Sequence, residues 1–425
     1  MRFIPKVWHL IILIAAVIVL LRYNIFINSM LLWIQTIRLI FISPHFAFSQ
    51  IDFQFLDPLF SSALIIIIPA IILLRHGSKF LQKKIDFTSA VIIILSIFFF
   101  LAPLAAGSNP EFQKNLSVTK LLPPFSRIKV LHLKSEPDVV SDQNYFFFLK
   151  DLVVKRSFDE SIVFADSVVN ASNVICYQGG FSIEFPKERV EFHNGSPVVT
   201  TKFFLLGTDE YGRDIFSRLI YGARISLFVG LGSVLVSLLL GVSLGFLAGY
   251  PGGIIDSMIS RITDMFLAFP VIFFIILIIA LFGNSIVSVI FVLGFSGWMS
   301  LFKIVRGEVI SLKNKDYFIS ARLIGLTKTK LLTKEILPVI TAPVIVNLVF
   351  QYGNVILAEA ALSYLGLGTG SSYPSWGAMI EAGQNYLSQA WWMILFPGLA
   401  LFFTLLAANN LGKDINVYFN PRLER

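Results

Sequence analysis

The chain has 425 residues, of which 56% are apolar (AVILMFWYC) and only 14% charged. An ordinary soluble domain is roughly 25% charged, and a folded surface needs polar cover that this composition does not provide, so a soluble enzyme or regulatory domain is excluded and a membrane protein implied. The net charge of +8 lies beside apolar runs rather than on a polar face, so it reports which side loops face and not a nucleic-acid surface.

The chain opens on Met1-Arg2-Phe3-Ile4-Pro5-Lys6, followed by an apolar run over 7–21. Leu20-Leu21-Arg22-Tyr23 offers no small-residue cleavage site, so the run reads as a retained span rather than a secretory signal. The stretch 26–48 carries Asn28, Gln35, Thr36 and Arg38 and reads as an interfacial helix or an extra span. Further runs at 59–74, 87–106, 225–250, 262–283, 285–304, 337–362 and 390–408 approach the ~20 residues that cross ~30 Å of hydrocarbon. Lys and Arg set the sides. Arg75, Lys79, Lys83 and Lys84, and the eight Lys and Arg within 303–334, mark cytoplasmic loops, whereas 50–58 and 363–389 carry only acids and fall outside. Eight crossings with both termini cytoplasmic satisfy these counts.

Residues 107–206 are different material. Over 107–205 there are eleven Lys and Arg and eleven Asp and Glu, and alternation such as Ser126-Arg127-Ile128-Lys129-Val130-Leu131-His132-Leu133 points to strands. A small, neutral, β-rich extracytoplasmic insertion is expected there. Its neutrality gives no electrostatic steering signal.

Signs of catalysis are few. No G-x-x-x-x-G-K-[ST] occurs, since Gly207-Thr208-Asp209-Glu210-Tyr211-Gly212 runs into Arg213-Asp214, so no phosphate loop is encoded. Five scattered His and the lone Cys176 provide neither a metal constellation nor a disulfide. Within the spans Lys303, Arg306 and Glu359 read as boundary residues rather than functional ones. The small residues Gly230, Gly232, Ser233, Ser237, Gly241, Ser243, Gly245 and Gly249 suit close helix packing, or surfaces that slide.

One basic segment stands apart. Asp316 to Ile324 has helical character, Gly325 breaks it, Thr327 is placed to cap a second short helix through Glu335, and Ile336-Leu337-Pro338 opens the next span. Its residues alone leave two readings open: a docking element, or a turn that any loop of this size requires.

The order of a small-residue helix, a glycine and Ile-Leu-Pro about ten residues later resembles the coupling loop of ATP-binding-cassette (ABC) importer permeases. The segment Gly207-Thr208-Asp209-Glu210-Tyr211-Gly212-Arg213-Asp214 through Arg224 resembles the start of the permease core in the oligopeptide, dipeptide and nickel branch, in the partner carrying the GTD-x-x-GRD pattern. Ala361 to Gly368, Pro374-Ser375-Trp376-Gly377, Phe396-Pro397-Gly398 and Asn420-Pro421-Arg422-Leu423 are similar to later signatures of that branch. Leu121-Leu122-Pro123-Pro124 resembles the motif that normally runs almost directly into GTD; here 127–206 intervenes. The pattern departs from the family at Ile319, where a Glu is usual, at Lys413, where an acid is usual, at Asn420, which replaces an Asp, and in the three extra N-terminal apolar segments.

The resemblance implies an α-helical polytopic protein of the inner membrane with a type I ABC importer permease core over 207–425, behind an N-terminal membrane segment over 1–106 and the insertion over 107–206. It implies a coupling loop over 310–336, with Asp316, Ala321, Gly325, Leu337 and Pro338 as its family positions. On the outer side stands a motif of Gly207, Thr208, Asp209, Gly212, Arg213 and Asp214, as an interfacial elbow or as a receiver of solute. The implied partners are a second permease forming a heterodimer, two cytoplasmic ATPase subunits carrying ATP and Mg, an extracytoplasmic solute-binding protein, membrane lipid, and peptide or nickel as solute, with no cofactor or catalytic residue on this chain. A membrane-anchored sensor or scaffold with 107–206 as receptor is the competing class; a secondary transporter lacks the expected intramembrane ionisable groups and repeats.

Overall fold

The apolar runs are helical, with a break inside 262–283. The structure, a computed structural model, describes residues 6–74, 84–134, 142–155, 161–327, 330–368 and 374–419; most of the basic stretch 75–84, the C-terminal signature at 420–423 and Lys328 lie outside them. Among the described residues seven helices are long and apolar enough to cross a membrane, or eight if one bent pair forms a single span. The fold is that of a helical multi-pass protein with a small β insertion.

Two compact units are formed, one of Met1–Arg224 with Ala382–Pro397, the other of Ile225–Glu381 with Gly398–Arg425. The first begins with helices α1 (Val7–Leu21), α2 (Tyr23–Ile42), α3 (Pro44–Gln50), α4 (Phe53–Leu74) and α5 (Phe87–Ala105). By length and hydropathy α2 has what a crossing needs, with 20 residues, while α1 has 15. Of the polar residues that suggested an interfacial helix, Thr36 is satisfied within α2, its Oγ1 donating to Leu32 O at 2.6 Å as Ser29 Oγ does to Ile25 O at 2.8 Å, so these hydroxyls need no water; Gln35 Oε1 is buried without a hydrogen-bond partner among the described residues. Asp52 caps α4 by accepting from Phe55 N at 2.7 Å. A core of Ala15, Ile18, Ile65, Ile97, Leu101 and Leu104 joins α1, α4 and α5.

After the short α6 (Leu116–Thr119) the insertion contains β1 (Ser126–His132), α7 (Asp142–Lys150) with a π-turn (Asp151–Lys155), β2 (Ile162–Ala165), β3 (Ser167–Asn170), β4 (Val174–Gln178), β5 (Phe181–Phe185), β6 (Phe192–His193), β7 (Ser196–Pro197) and β8 (Val199–Phe204). The sheets run β2-β1-β8, β3-β4-β5 and β6-β7, antiparallel throughout. Strand β1 is central: Ile128 and Val130 pack with Phe164 and Phe204 on one face, Arg127 and Lys129 on the other are exposed, and Leu131 beyond them joins Val163, Val174 and Cys176. Its alternation is the one the sequence predicts. Because β1 and β8 pair from Ser126↔Phe204 onward, the insertion is entered and left through neighbouring strands. Leu121-Leu122 therefore meets Thr208 and Asp209 directly, with Thr208 N donating to Leu122 O and Leu121 N to Asp209 O, each at 3.0 Å.

Helix α8 (Ile215–Gly249) leads into the second unit, which holds α9 (Gly253–Ala268), α10 (Val271–Phe282), α11 (Ile286–Lys313), α12 (Asp316–Leu323) and α13 (Leu337–Tyr364), with α14 (Trp376–Gln384) and α15 (Trp392–Phe419) each shared between the two units. The run 262–283, expected as one span, is instead a pair bent by 91°. Pro270 brings no N–H and holds Phe269 extended at φ −91°, ψ 133°, so the helix cannot continue through it. The second short helix expected from Thr327 is not separate either: a π-turn over Leu331–Ile336 runs straight into α13. Pro338 has no N–H to offer the carbonyl four residues back, and the widened turn lies just before it.

On α8, Gly241, Gly245 and Gly249 face Leu301, Val305 and Val309 of α11 in a matched i, i+4 row. A methyl group on Gly245 would stand 2.6 Å from Val305 Cγ1, and one on Gly241 2.8 Å from Leu301 Cβ. The small residues thus bring two helices close, which is the packing role foreseen for them.

Candidate functional site

The two segments singled out by sequence fall one in each unit. In the second unit, Lys313 Nζ donates to Tyr250 O at 2.5 Å and to Gly249 O at 3.3 Å, placing a cation on the carbonyl end of α8. Helix α12 follows. Phe318 and Leu331 are buried in one core with Val305, Val309, Leu312, Ile336 and Ile340, and Ala321 packs against it. The far end of α12 is apolar yet uncovered, Leu323 being 81% and Ile324 82% exposed. Gly325 follows at φ +87°, a conformation that L side chains rarely adopt, with nothing among the described residues within 4 Å of where a Cβ would stand. Asp316, Leu337 and Pro338 are exposed. The segment is therefore an apolar tip on a base anchored to α11 and α13.

Helices α9 and α11 are tied on the same unit by Arg306, which binds Asp256 through two hydrogen bonds, Nη2 to Oδ2 being 2.7 Å, and by Lys303 with Asp264 at 2.8 Å. These two cations, expected at a boundary, have carboxylate partners on a neighbouring helix.

In the first unit the 207–214 motif closes on itself. Thr208 is fully buried; its Oγ1 donates to Thr119 O at 2.5 Å and accepts from Leu122 N at 2.8 Å, while Trp392 Nε1 donates to its carbonyl at 3.1 Å. A side chain on Gly207 would strike Leu122 O, and one on Gly212 would strike Thr119. Asp209 Oδ1 accepts from Tyr211 N and Arg213 N at 2.9 and 2.8 Å, and Oδ2 accepts from Arg213 Nε at 2.6 Å. Asp214 stands before α8 and accepts from Ser217 N at 3.1 Å and Ser217 Oγ at 2.5 Å, satisfying a helix-end donor. Ser217 Oγ in turn accepts from Gly107 N and Ser108 N, each at 3.0 Å.

Glu111 completes the group. Its two oxygens accept from Arg213 Nη1 at 2.7 Å and Arg218 Nη1 at 2.6 Å. Although burial opposes it, the carboxylates of Asp209 and Glu111 hold the Arg213 guanidinium above its ordinary value. Burial, then the neighbouring Asp209, pushes the Glu210 carboxyl up, and Glu210 Oε2 is buried without a hydrogen-bond partner among the described residues. Both arginines face inward onto carboxylates, so the motif is a buried clasp at the head of α8.

Residues 241–425 match the family described as the binding-protein-dependent transport system inner membrane component. The di/tripeptide transport system permease protein DppC of Pseudomonas aeruginosa is 37% identical over 221 residues, 52% of this chain and 73% of that protein. The chain belongs to the oligopeptide/dipeptide family of ABC importer permeases. The dipeptide permease DppC of Bacillus subtilis is 39% identical over 220 residues, 52% of this chain and 69% of its own length. The oligopeptide permease OppC of Haemophilus influenzae is 34% identical over 220 residues, 52% and 71%.

In this permease three arrangements escaped the sequence reading. Glu111 lies about a hundred residues before its arginines, and no local signal announces the pairing. Arg224 on α8 donates through Nη1 to Asp57 Oδ2 of α4 at 2.5 Å and through Nε to Phe99 O of α5 at 2.8 Å, which ties α4 and α5 to the start of α8. Glu359, expected at a boundary, is fully buried; it accepts from Ser363 Oγ at 2.8 Å and Ser226 Oγ at 3.1 Å, and Ser375 Oγ reaches Ser363 at 3.3 Å. Hydroxyls supplied from α8, from α13 and from just before α14 make its burial tolerable.

Proposed function

We propose that this permease forms one half of a heterodimeric pore that takes up peptides, driven by ATP that separate cytoplasmic subunits hydrolyse with Mg. The observation that carries the reading is the tip of α12: Leu323 and Ile324 project uncovered beside Gly325, while Phe318 at the base is sealed into the core of α11 and α13. An apolar knob on a rooted base suits insertion into a groove of another protein, and a force on the tip reaches two membrane helices through Phe318. The docked ATPase then favours whichever pore state it contacts better, as any coupled equilibrium requires. Peptides are favoured over nickel because the matching relatives are named for di/tripeptides, dipeptides and oligopeptides.

In this reading the loop around α12, rich in Lys and Arg, faces the cytoplasm, as do both termini, and the insertion faces outward, where a solute-binding protein delivers peptide. The 207–214 clasp acts as a rigid elbow at the outer start of α8. Replacement of Leu323 and Ile324 by Asp tests the proposal. The double variant is expected to reach the membrane with its partner permease but to lose co-purifying ATPase and ATP-dependent peptide uptake, and Gly325→Pro to lose uptake. Unchanged uptake and retained ATPase would sink it.

A further inference from the structure

One helix of the insertion is built unlike its sheets. Helix α7 and its π-turn bury Phe146, Leu149 and Val153 against Leu32 and Leu39 of α2 and Phe55 and Leu59 of α4. Offsets of three, four and seven put that row on one helical face. Beside it Phe147 and Phe148 are 44% and 54% exposed.

The depth of these two rings follows from what they touch. Helix α3 joins α2 to α4, both long and apolar enough to cross, so α3 lies where hydrocarbon gives way to water. Phe46 of α3 meets Phe147 edge to face, with centroids 5.7 Å apart. Lys150 Nζ donates to Gln50 O at 2.9 Å and stands 5.5 Å from the Phe55 ring centroid. Phe41, Ile42 and Phe48, at the end of α2 and in α3, are exposed as well. The uncovered face of α7 is thus continuous with the apolar surface of the spans, whose solvent is lipid. A cavity of about 340 Å³ opens here, lined by Gln50, Phe147, Phe148, Lys150 and Asp151. Two rings beside a cation, an anion and an amide reproduce the chemistry of the bilayer interface, where aromatic side chains concentrate.

We propose that α7 is an interfacial anchor that binds a phospholipid, its headgroup in this cavity and its upper acyl chains along Phe147 and Phe148. The insertion is then moored to the bilayer surface as well as to α2 and α4. Lys150 faces the phosphate, and the rings occupy the glycerol and upper-chain region, as in helices that lie in the interface plane. Lipid binding at α7 does not depend on which solute is transported.

The test uses the full-length protein in phosphatidylethanolamine/phosphatidylglycerol vesicles, carrying Phe147→Cys, Phe148→Cys or, as a sheet reference, Phe181→Cys on β5, which is 74% exposed. Cys176 is fully buried and burial pushes its thiol up to about 11, so the native cysteine takes no label. Each site receives a nitroxide, and collision with oxygen is compared with collision with a water-soluble nickel chelate. At 147 and 148 the oxygen-to-nickel ratio is expected to exceed that at 181 several-fold. Equal ratios would overturn the proposal, as would labels shielded from both reagents, the signature of a protein partner. Native mass spectrometry supplies a second readout: the wild type is expected to retain phospholipid that Phe147→Ser/Phe148→Ser loses, and equal retention would overturn phospholipid binding in this cavity.

Discussion

Replacing Thr208 by Val isolates the polar contribution of the 207–214 clasp, because the two side chains are nearly isosteric and position 208 is fully buried. The change deletes one hydroxyl and strands two backbone groups, Leu122 N and Thr119 O, which it had joined at 2.8 and 2.5 Å. A buried polar group left unsatisfied costs about 1–3 kcal/mol, so the pair costs about 2–4 kcal/mol once some relaxation is allowed. Hydrogen exchange of the full-length protein reads this locally: at a tenfold change per about 1.4 kcal/mol, exchange in the peptide containing Leu122 is expected to quicken by about 30-fold to about 700-fold. Thr208→Ser, which keeps the oxygen, is expected to remain near wild type. Unchanged protection in Thr208→Val would show that the hydroxyl does not hold the two segments together.

Four other outcomes are expected. Gly245→Ala destabilises by about 1–3 kcal/mol through overpacking against Val305, although Ala is the better helix former, and Val305→Ala restores the loss in thermal unfolding. Glu210, whose carboxyl is pushed up, contributes stability that is fully present below its ordinary value of 4.5 and is lost as pH rises through its higher folded value; Glu210→Gln is therefore expected to raise the melting temperature at neutral pH and flatten its pH dependence. Cys176 resists aqueous thiol reagents until the insertion unfolds, and its raised thiol costs stability only as pH rises from 9 toward about 11. For sidedness, Glu188→Cys at an exposed position should react with an impermeant maleimide in intact spheroplasts, and labelling only after lysis would reverse the assigned orientation.

Much of this architecture is legible in the sequence because hydropathy and alternation are local quantities. The spans announce themselves by apolar runs, and β1 by the alternation from Ser126 to Leu133. The break at Gly325 is equally plain, since the residue required for that backbone turn is also the one that interrupts the pattern. What stays hidden is set by partners far along the chain. Glu111 looks like any loop acid until Arg213 and Arg218 are brought to it, and Glu359 looks like a boundary residue until three serines surround it. Helix α7 hides for a related reason: Tyr145-Phe146-Phe147-Phe148 favours strand by composition, and packing against α2 and α4 decides otherwise. The bend at Pro270 had a visible signal, but total hydropathy over 262–283 masked it.

The pairing of β1 with β8 has a consequence for how such a chain is assembled over time. Since the two ends of the insertion leave the permease side by side, everything between them is topologically a lengthened hairpin, and the clasp at Thr208 forms across its mouth whatever the hairpin contains. A gene can therefore gain, lose or exchange this cargo without re-routing a single membrane helix. The same junction offers an engineer a ready port, at which a tight turn, a reporter or another small domain could be spliced while Leu122 and Thr208 remain joined.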